Sequence, residues 1–279
     1  MLRNIVPQHL NSALETTISW PYRESTEAKS KALEYIIKRK KDEQGGKLIL
    51  TFTELEQAFL SDIENDTYNI FKCLVKETDN IDVTNARGDN ILHRIIHHLR
   101  LLENNKENTP KKVLIIKLSI SQLLDKGIDA STTGGQNMTP LYIATLCNQP
   151  DIIKSIAEKA DINQLFYYNG AKTSTTALFQ ASLNGNINSM TTILGIKGIN
   201  IDLQNSDGMT ALHAAASSEI IAAQTLLAHG ANPNIHSQSG STPLHMAVLD
   251  RNVEMTALLL NMMLARTYIA RLVPLCIIW

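Results

Sequence analysis

The sequence predicts an all-α solenoid of about five helix–turn–helix repeats, with short β-turn or hairpin tips and a helical N-terminal extension. Three observations predict it. The blocks MTPLYIAT, TTALFQAS, MTALHAAA and STPLHMAV align on Thr139, Thr176, Thr210 and Thr242. These threonines lie 37, 34 and 32 residues apart, the spacing of units that cannot bury their apolar faces alone and must stack. In residues 205–234 a glycine precedes the block (Gly208) and another follows the second helix (Gly230), so each unit has a turn, a start and a stop.

Within that unit each residue type has a physical reason. Asp207 and Gly208 supply the turn. Thr210 stands where a side-chain oxygen can accept from the first free N–H groups of a helix. In the sister units Thr139 and Thr242 are followed by Pro140 and Pro243, and proline suits the first helical position because its missing N–H had no partner there. Ala214, Ala215 and Ala216 make a thin helix that lets a neighbour approach. Ile220, Ile221, Gln224, Leu226 and Leu227 give a second helix with an apolar face, which Gly230 ends.

This pattern, T-A/P-L-H-x-A followed by a helix and then HGANPN, resembles the ankyrin repeat. Two units match strongly, 205–236 and 237–261. Two are worn, 134–168 and 171–204, with Tyr142 and Phe179 in place of the histidine and Ala177 in place of the proline. Placing Gly88 on Gly208 makes DNILHRII a further copy, in a unit spanning 85–133, and residues 53–84 read as a degenerate first repeat that covers the end of the stack. The expected organisation is therefore an extension (1–52), repeats (53–261) and an apolar tail (262–279).

The stretch DNILHRIIHH holds three histidines within six residues. Zinc-hydrolase chemistry would need H-E-x-x-H, and the position after His93 is Arg94, a cation where a carboxylate is required. The resemblance instead implies that His93, His213 and His245 are structural, each imidazole bonding between neighbouring repeats. His97 and His98 fall opposite Ser217 and Ser218, at the expected end of a first helix.

Three segments depart from the family. An insertion, RLLENNKENTPKK, follows Leu99, and its Asn, Glu, Lys and Pro content reads as an exposed loop ahead of the helix VLIIKLSISQLLDKG. In residues 1–52, helices near 8–18 and 26–41 are expected, with a break at Gly45 and Gly46; KRKK, Lys38 to Lys41, reads as the solvated end of a helix. At the other end, MTALLLNMMLARTYIARLVPLCIIW is long enough to span a bilayer but carries Arg266, Arg271 and Pro274 in its second half. A capping helix or the altered end of a longer array fits better, and a membrane is not expected as a partner.

The formal net charge of −1 lacks the basic footprint of a nucleic-acid binder. Three cysteines, far apart and in no CxxC arrangement, favour a reducing, cytoplasmic setting. Gln8, His9, Asn11 and Ser12 interrupt the N-terminus early, so no Sec-type signal is expected. No phosphate-binding loop, nucleophile elbow, recurrent carboxylate pair or metal constellation occurs, so neither enzyme activity nor a cofactor is expected.

What remains is recognition of a partner protein. The resemblance implies a concave face of turn tips and first helices. By alignment the tips are Gln136, Met138, Lys172, Thr173, Thr175, Ser206, Asp207, Met209, Gln238, Ser239 and Ser241. The groove adds His97, His98, Leu146, Cys147, Leu183, Asn184, Ser217, Ser218, Leu249 and Asp250. The alternative is a host-directed effector or adaptor, delivered into another cell, whose N-terminal segment or tail carries targeting. The bias toward Asn, Ile and Lys suits an AT-rich genome such as that of an intracellular bacterium.

Overall fold

The computed structural model describes residues 10–19, 26–106, 109–167 and 174–262. Two compact units divide the chain, Met1–Gly135 and Gln136–Trp279.

The first unit holds three helix pairs: α1 (Leu10–Ile18) with α2 (Thr26–Glu43), α3 (Phe52–Glu64) with α4 (Ile70–Glu77), and α5 (Ile91–Asn104) with α6 (Pro110–Lys126). First helices pack on first helices, α1 on α3 and α3 on α5. Second helices pack likewise, α2 on α4 and α4 on α6. Helices α1 and α2 thus join the same stacking scheme as the pairs that follow. The interior is filled by side chains such as Leu14, Ile36, Leu55, Phe59, Phe71, Leu74, Ile95 and Ile116, with Phe59 and Phe71 meeting edge to face at 5.8 Å.

Local chemistry sets the helix starts. Thr51 and Glu54 form a capping box at α3, and Thr109 caps α6 with Pro110 in its first turn. At α4 the cap residue Asn69 makes no side-chain cap bond, and Asp62 takes over from the preceding helix. Its buried carboxylate accepts from the N–H groups of Asn69 (3.1 Å), Ile70 (3.3 Å) and Phe71 (2.8 Å) and from the Thr67 hydroxyl (2.7 Å). A carboxylate buried at a helix N-terminus is stabilised by those donors and by the positive end of the helix dipole.

The second unit repeats more regularly. Its first helices are α7 (Pro140–Leu146), α9 (Ala177–Leu183), α11 (Ala211–Ala216) and α13 (Pro243–Leu249), stacked in that order. Its second helices are α8 (Pro150–Ala157), α10 (Ile187–Leu194) and α12 (Ile220–Ala228), also stacked, and residues 253–262 are helical. A short antiparallel hairpin, β1 (Phe166–Tyr167) with β2 (Ser174–Thr175), forms one tip. Thr139, Thr176, Thr210 and Thr242 all cap first helices, as the alignment requires.

The same turn recurs in both units. Asn205 Oδ1 accepts from the N–H groups of Asp207 (3.0 Å) and Met209 (2.8 Å), and Asn85 Oδ1 does the same for Arg87 (2.8 Å) and Asp89 (3.0 Å). Gly208 closes its turn at φ +72°, and a Cβ there would lie 2.7 Å from the backbone nitrogen of Gln238 in the next tip.

Three expectations need correcting. Most of the insertion after Leu99 is helix, because Leu99 and Leu102 continue the buried stripe and carry α5 on to Asn104, while Thr109 starts α6 early. The result is a pair of 14 and 17 residues, against 7 and 8 for α7 and α8. The KRKK run is solvated only in part: Lys38 is exposed, but Lys40 is buried in an ion pair with buried Glu54, and Lys41 binds Glu77 at 2.8 Å. Ile221 is 52% exposed, and the buried face of α12 is made by Ala222, Ala223, Leu226 and Leu227. Among the described residues no helix is long and apolar enough to cross a membrane. The tail from residue 263 onward lies outside the described residues.

Candidate partner-binding surface

In the second unit the sequence-predicted groove residues occupy equivalent positions on successive stacked helices. Leu146, Leu183 and Leu249 each end their helix, and Cys147, Asn184, Ser217 and Asp250 are the C-cap residues of α7, α9, α11 and α13. Leu183 is 45% exposed and Leu249 73%, while Leu146 is half-buried. Aligned with them is Ser217, exposed, with half-buried Ser218 beside it. The arrangement is a row of apolar side chains broken by one hydroxyl and flanked by Asn184 and Asp250, both exposed. Cys147 does not belong to this surface, because the cap turn of α7 folds its side chain inward and leaves it buried.

The tip residues are largely occupied with one another. Ser206 and Ser174 exchange hydrogen bonds, each backbone N–H donating to the other's hydroxyl at 2.7 and 3.0 Å. The Gln238 side-chain amide donates to the Ser206 carbonyl at 2.6 Å, and its N–H donates to the Asp207 carbonyl at 2.8 Å. Ser239 links the hydroxyls of Ser237 (2.9 Å) and Ser241 (3.2 Å). Ser206, Asp207, Met209 and Ser241 are half-buried, whereas Gln238 and Ser239 are exposed. Thr175, in β2, is buried, because strand pairing turns it against Phe166 rather than toward solvent. Met138 is half-buried ahead of α7; Gln136 lies in a 3₁₀ turn, and Lys172 and Thr173 lie outside the described residues.

His97 and His98 belong to the first unit, in the middle of the lengthened α5 rather than at its end. His98 meets Phe59 edge to face at 5.6 Å. Nδ1 of His97 is buried with no hydrogen-bond partner. Burial pushes its pKa below the usual histidine value, with Arg94 and Arg100 adding to the effect and Asp89 opposing it. Arg94 Nε donates to Glu56 on α3 at 2.7 Å. This ion pair was legible only as two unrelated charges, because its partners lie on different helices.

Among the described residues no group of three or more histidine, cysteine or acidic side chains could hold a metal ion. Instead Nδ1 of His93 lies 2.6 Å from the Asn90 side-chain oxygen within the cap of α5. His213 and His245 build the same box with Thr210 and Thr242, and His213 also reaches the next repeat, with Nε2 3.1 Å from the Ser241 carbonyl.

Residues 178–267 match the family model for ankyrin repeats, in three copies. The chain carries ankyrin repeats. It is similar to the nuclear factor NF-kappa-B p105 subunit of Gallus gallus, 27% identical over 185 residues, covering 64% of this chain and 17% of that protein. A putative ankyrin repeat protein of fowlpox virus (strain NVSL) is 32% identical over 160 residues, covering 53% of this chain and 45% of the viral protein. The chain thus spans less than half the length of either relative. Among solved structures, the ankyrin repeat domain of Bcl-3, described as a unique member of the IkappaB protein family, superposes with a TM-score of 0.65 at 18% identity, covering 89% of this chain and 97% of that one. The ankyrin repeat protein EF0377 gives 0.57 at 22% identity, covering 72% and 96%. These two likenesses concern the fold.

The structural role implied for the ankyrin histidines holds in full for His213, which is buried and bridges two repeats. At His93 the following tip comes so close that a Cβ on Gly134 would sit 2.9 Å from Nε2. His245 keeps its cap but is exposed, and no bond to a further repeat is present among the described residues.

Proposed function

We propose that the ankyrin stack is a protein-recognition module whose partner lies across the first-helix ends and turn tips of the Gln136–Trp279 unit. Ankyrin repeats are protein–protein interaction modules as a class. The observation that carries the reading here is the row formed by Leu146, Leu183 and Leu249 at one register of successive helices, with Leu183 and Leu249 substantially exposed. Apolar side chains spaced along a stack and rimmed by Asn184, Ser217 and Asp250 suit an interface with an apolar centre and polar rim. The tip bonds support the same reading, since a surface fixed before binding loses less side-chain freedom on association.

The reading treats α1 and α2 as part of the stack rather than as a separate targeting module, which their packing on α3 and α4 supports. It places the protein in a reducing compartment, in keeping with three cysteines that are far apart in sequence and in no CxxC arrangement. No specific observation favours delivery into a host cell.

The test is affinity capture from a cytosolic extract with the full chain and with a Leu183→Arg, Leu249→Arg variant, using Lys154→Glu as a control. Loss of one defined partner, with helicity and melting temperature unchanged, is the expected result. Retention of every partner by the double variant would contradict the assignment.

A further inference from the structure

On the second-helix side of the first unit, α2 and α4 leave between them a groove of about 520 Å³. Lys38 and Lys41 stand on the α2 wall with Glu34, and Lys72 and Lys76 on the α4 wall with Glu77. Only Lys41 is paired among the described residues, with Glu77. Lys38, Lys72 and Lys76 are exposed, so the groove carries a surplus of positive charge. Glu77 reports that field: its hydrogen bond with Lys41 holds its carboxyl below the ordinary range, and the nearby charges of Lys41, Lys76 and Lys126 reinforce this. Between the walls the lining is less polar, with Ile37 buried and Cys73 half-buried.

We propose that this groove is a second docking site, which takes an acidic amphipathic peptide segment of a partner protein. The chemistry favours that occupant over other anions. The three unpaired lysines are divided between the α2 and α4 walls and are mobile point charges on flexible stems, which suits carboxylates spaced along a segment better than one phosphate. An apolar strip between cationic walls matches a segment with apolar side chains on one face and carboxylates on either side. A flat bilayer cannot follow a groove down to Ile37. The two glutamates in the lining would repel the continuous phosphate backbone of a nucleic acid. The site is separate from the Leu146, Leu183 and Leu249 row, so either can be disproved without the other.

The test uses the full chain and a short fluorescein-labelled peptide with leucines at i, i+3 and i+4 and glutamates elsewhere, read by fluorescence anisotropy. Saturable binding that falls on the order of tenfold with Lys72→Glu and Lys76→Glu combined, and is unchanged by Lys154→Glu, is expected. Binding should also weaken as salt is raised. Bound peptide should slow alkylation of Cys73, read by mass spectrometry, and without peptide both variants should melt at the temperature of the unsubstituted chain. Absence of binding, equal binding by the double variant, or unprotected Cys73 would overturn the proposal. So would tighter lysine-dependent binding of phosphatidylserine vesicles or of single-stranded DNA than of the peptide.

Discussion

The two units reach the same stacked geometry by different chemistry. In Gln136–Trp279 each first helix starts on a threonine at an aligned position, and neighbouring tips are joined by short polar bonds such as Ser206 with Ser174 and His213 with Ser241. In Met1–Gly135 the pattern is worn, and long-range charges do the equivalent work. Asp62 starts α4 from the previous helix, and Lys40 on α2 meets Glu54 on α3. A repeat fold needs its helix ends satisfied and its layers joined, and it accepts several residue types for the task. Repetition can therefore be read from a sequence, whereas its substitutes cannot.

The largest expected effect tests the worn unit. Glu54→Ala leaves the ammonium group of Lys40 buried without its partner and should cost about 3–5 kcal/mol in urea denaturation. Combining Lys40→Met with Glu54→Leu should recover most of that, short by about 1 kcal/mol for the lost capping box with Thr51. If Glu54→Ala proves neutral, the pair does not join the N-terminal helices to the stack.

A smaller effect tests the regular unit. Gly208 and Gly230 both have positive φ, but a Cβ on Gly208 would press on the next tip while Gly230 faces open space. Gly230→Ala should cost about 1 kcal/mol for the left-handed backbone alone. Gly208→Ala should cost about 2 kcal/mol or more, because the tip of the next repeat must also move. Equal losses would show that tip packing adds nothing.

The smallest effect concerns pH. Nδ1 of His213 accepts from the Thr210 N–H, so Nε2 carries the proton that reaches the Ser241 carbonyl, and the ring is bound neutral. Burial pushes its pKa below the ordinary value of 6.5, His236 adds to this, and the Ser241 bond opposes it. The unfolded chain therefore takes up this proton first on acidification. The stability from neutral His213 is complete above about 6.5 and is lost as pH falls from there toward the lowered value. His97, also lowered, acts in the same direction. The melting temperature should fall between pH 7 and pH 5, and the fall should be shallower in His213→Gln. An unchanged slope would remove His213 as its source.

These contrasts explain what the sequence could reveal. Thr139, Thr176, Thr210 and Thr242 announced their helices because a cap acts on residues two or three positions away. Gly230 announced a helix end for the same local reason. The insertion after Leu99 misled because Asn, Glu and Lys suit both a loop and the outer face of a longer helix. Lys40 could not be read as buried, since its partner lies on another helix. At the candidate surface, alignment gave register without depth: it put Leu183, Leu249 and Ser217 at one register of exposed residues but added Cys147 and Thr175, which are buried. The groove between α2 and α4 was invisible for a similar reason, because its lysines come from segments with the whole of α3 between them.

The most direct measurement is hydrogen exchange on the purified chain with and without its captured partner. Recognition along the second unit predicts slowed exchange at the ends of α9, α11 and α13 and at the 205–209 and 237–241 tips, with α12 unchanged. Protection confined to the first unit, or to the face of α8, α10 and α12, would contradict it.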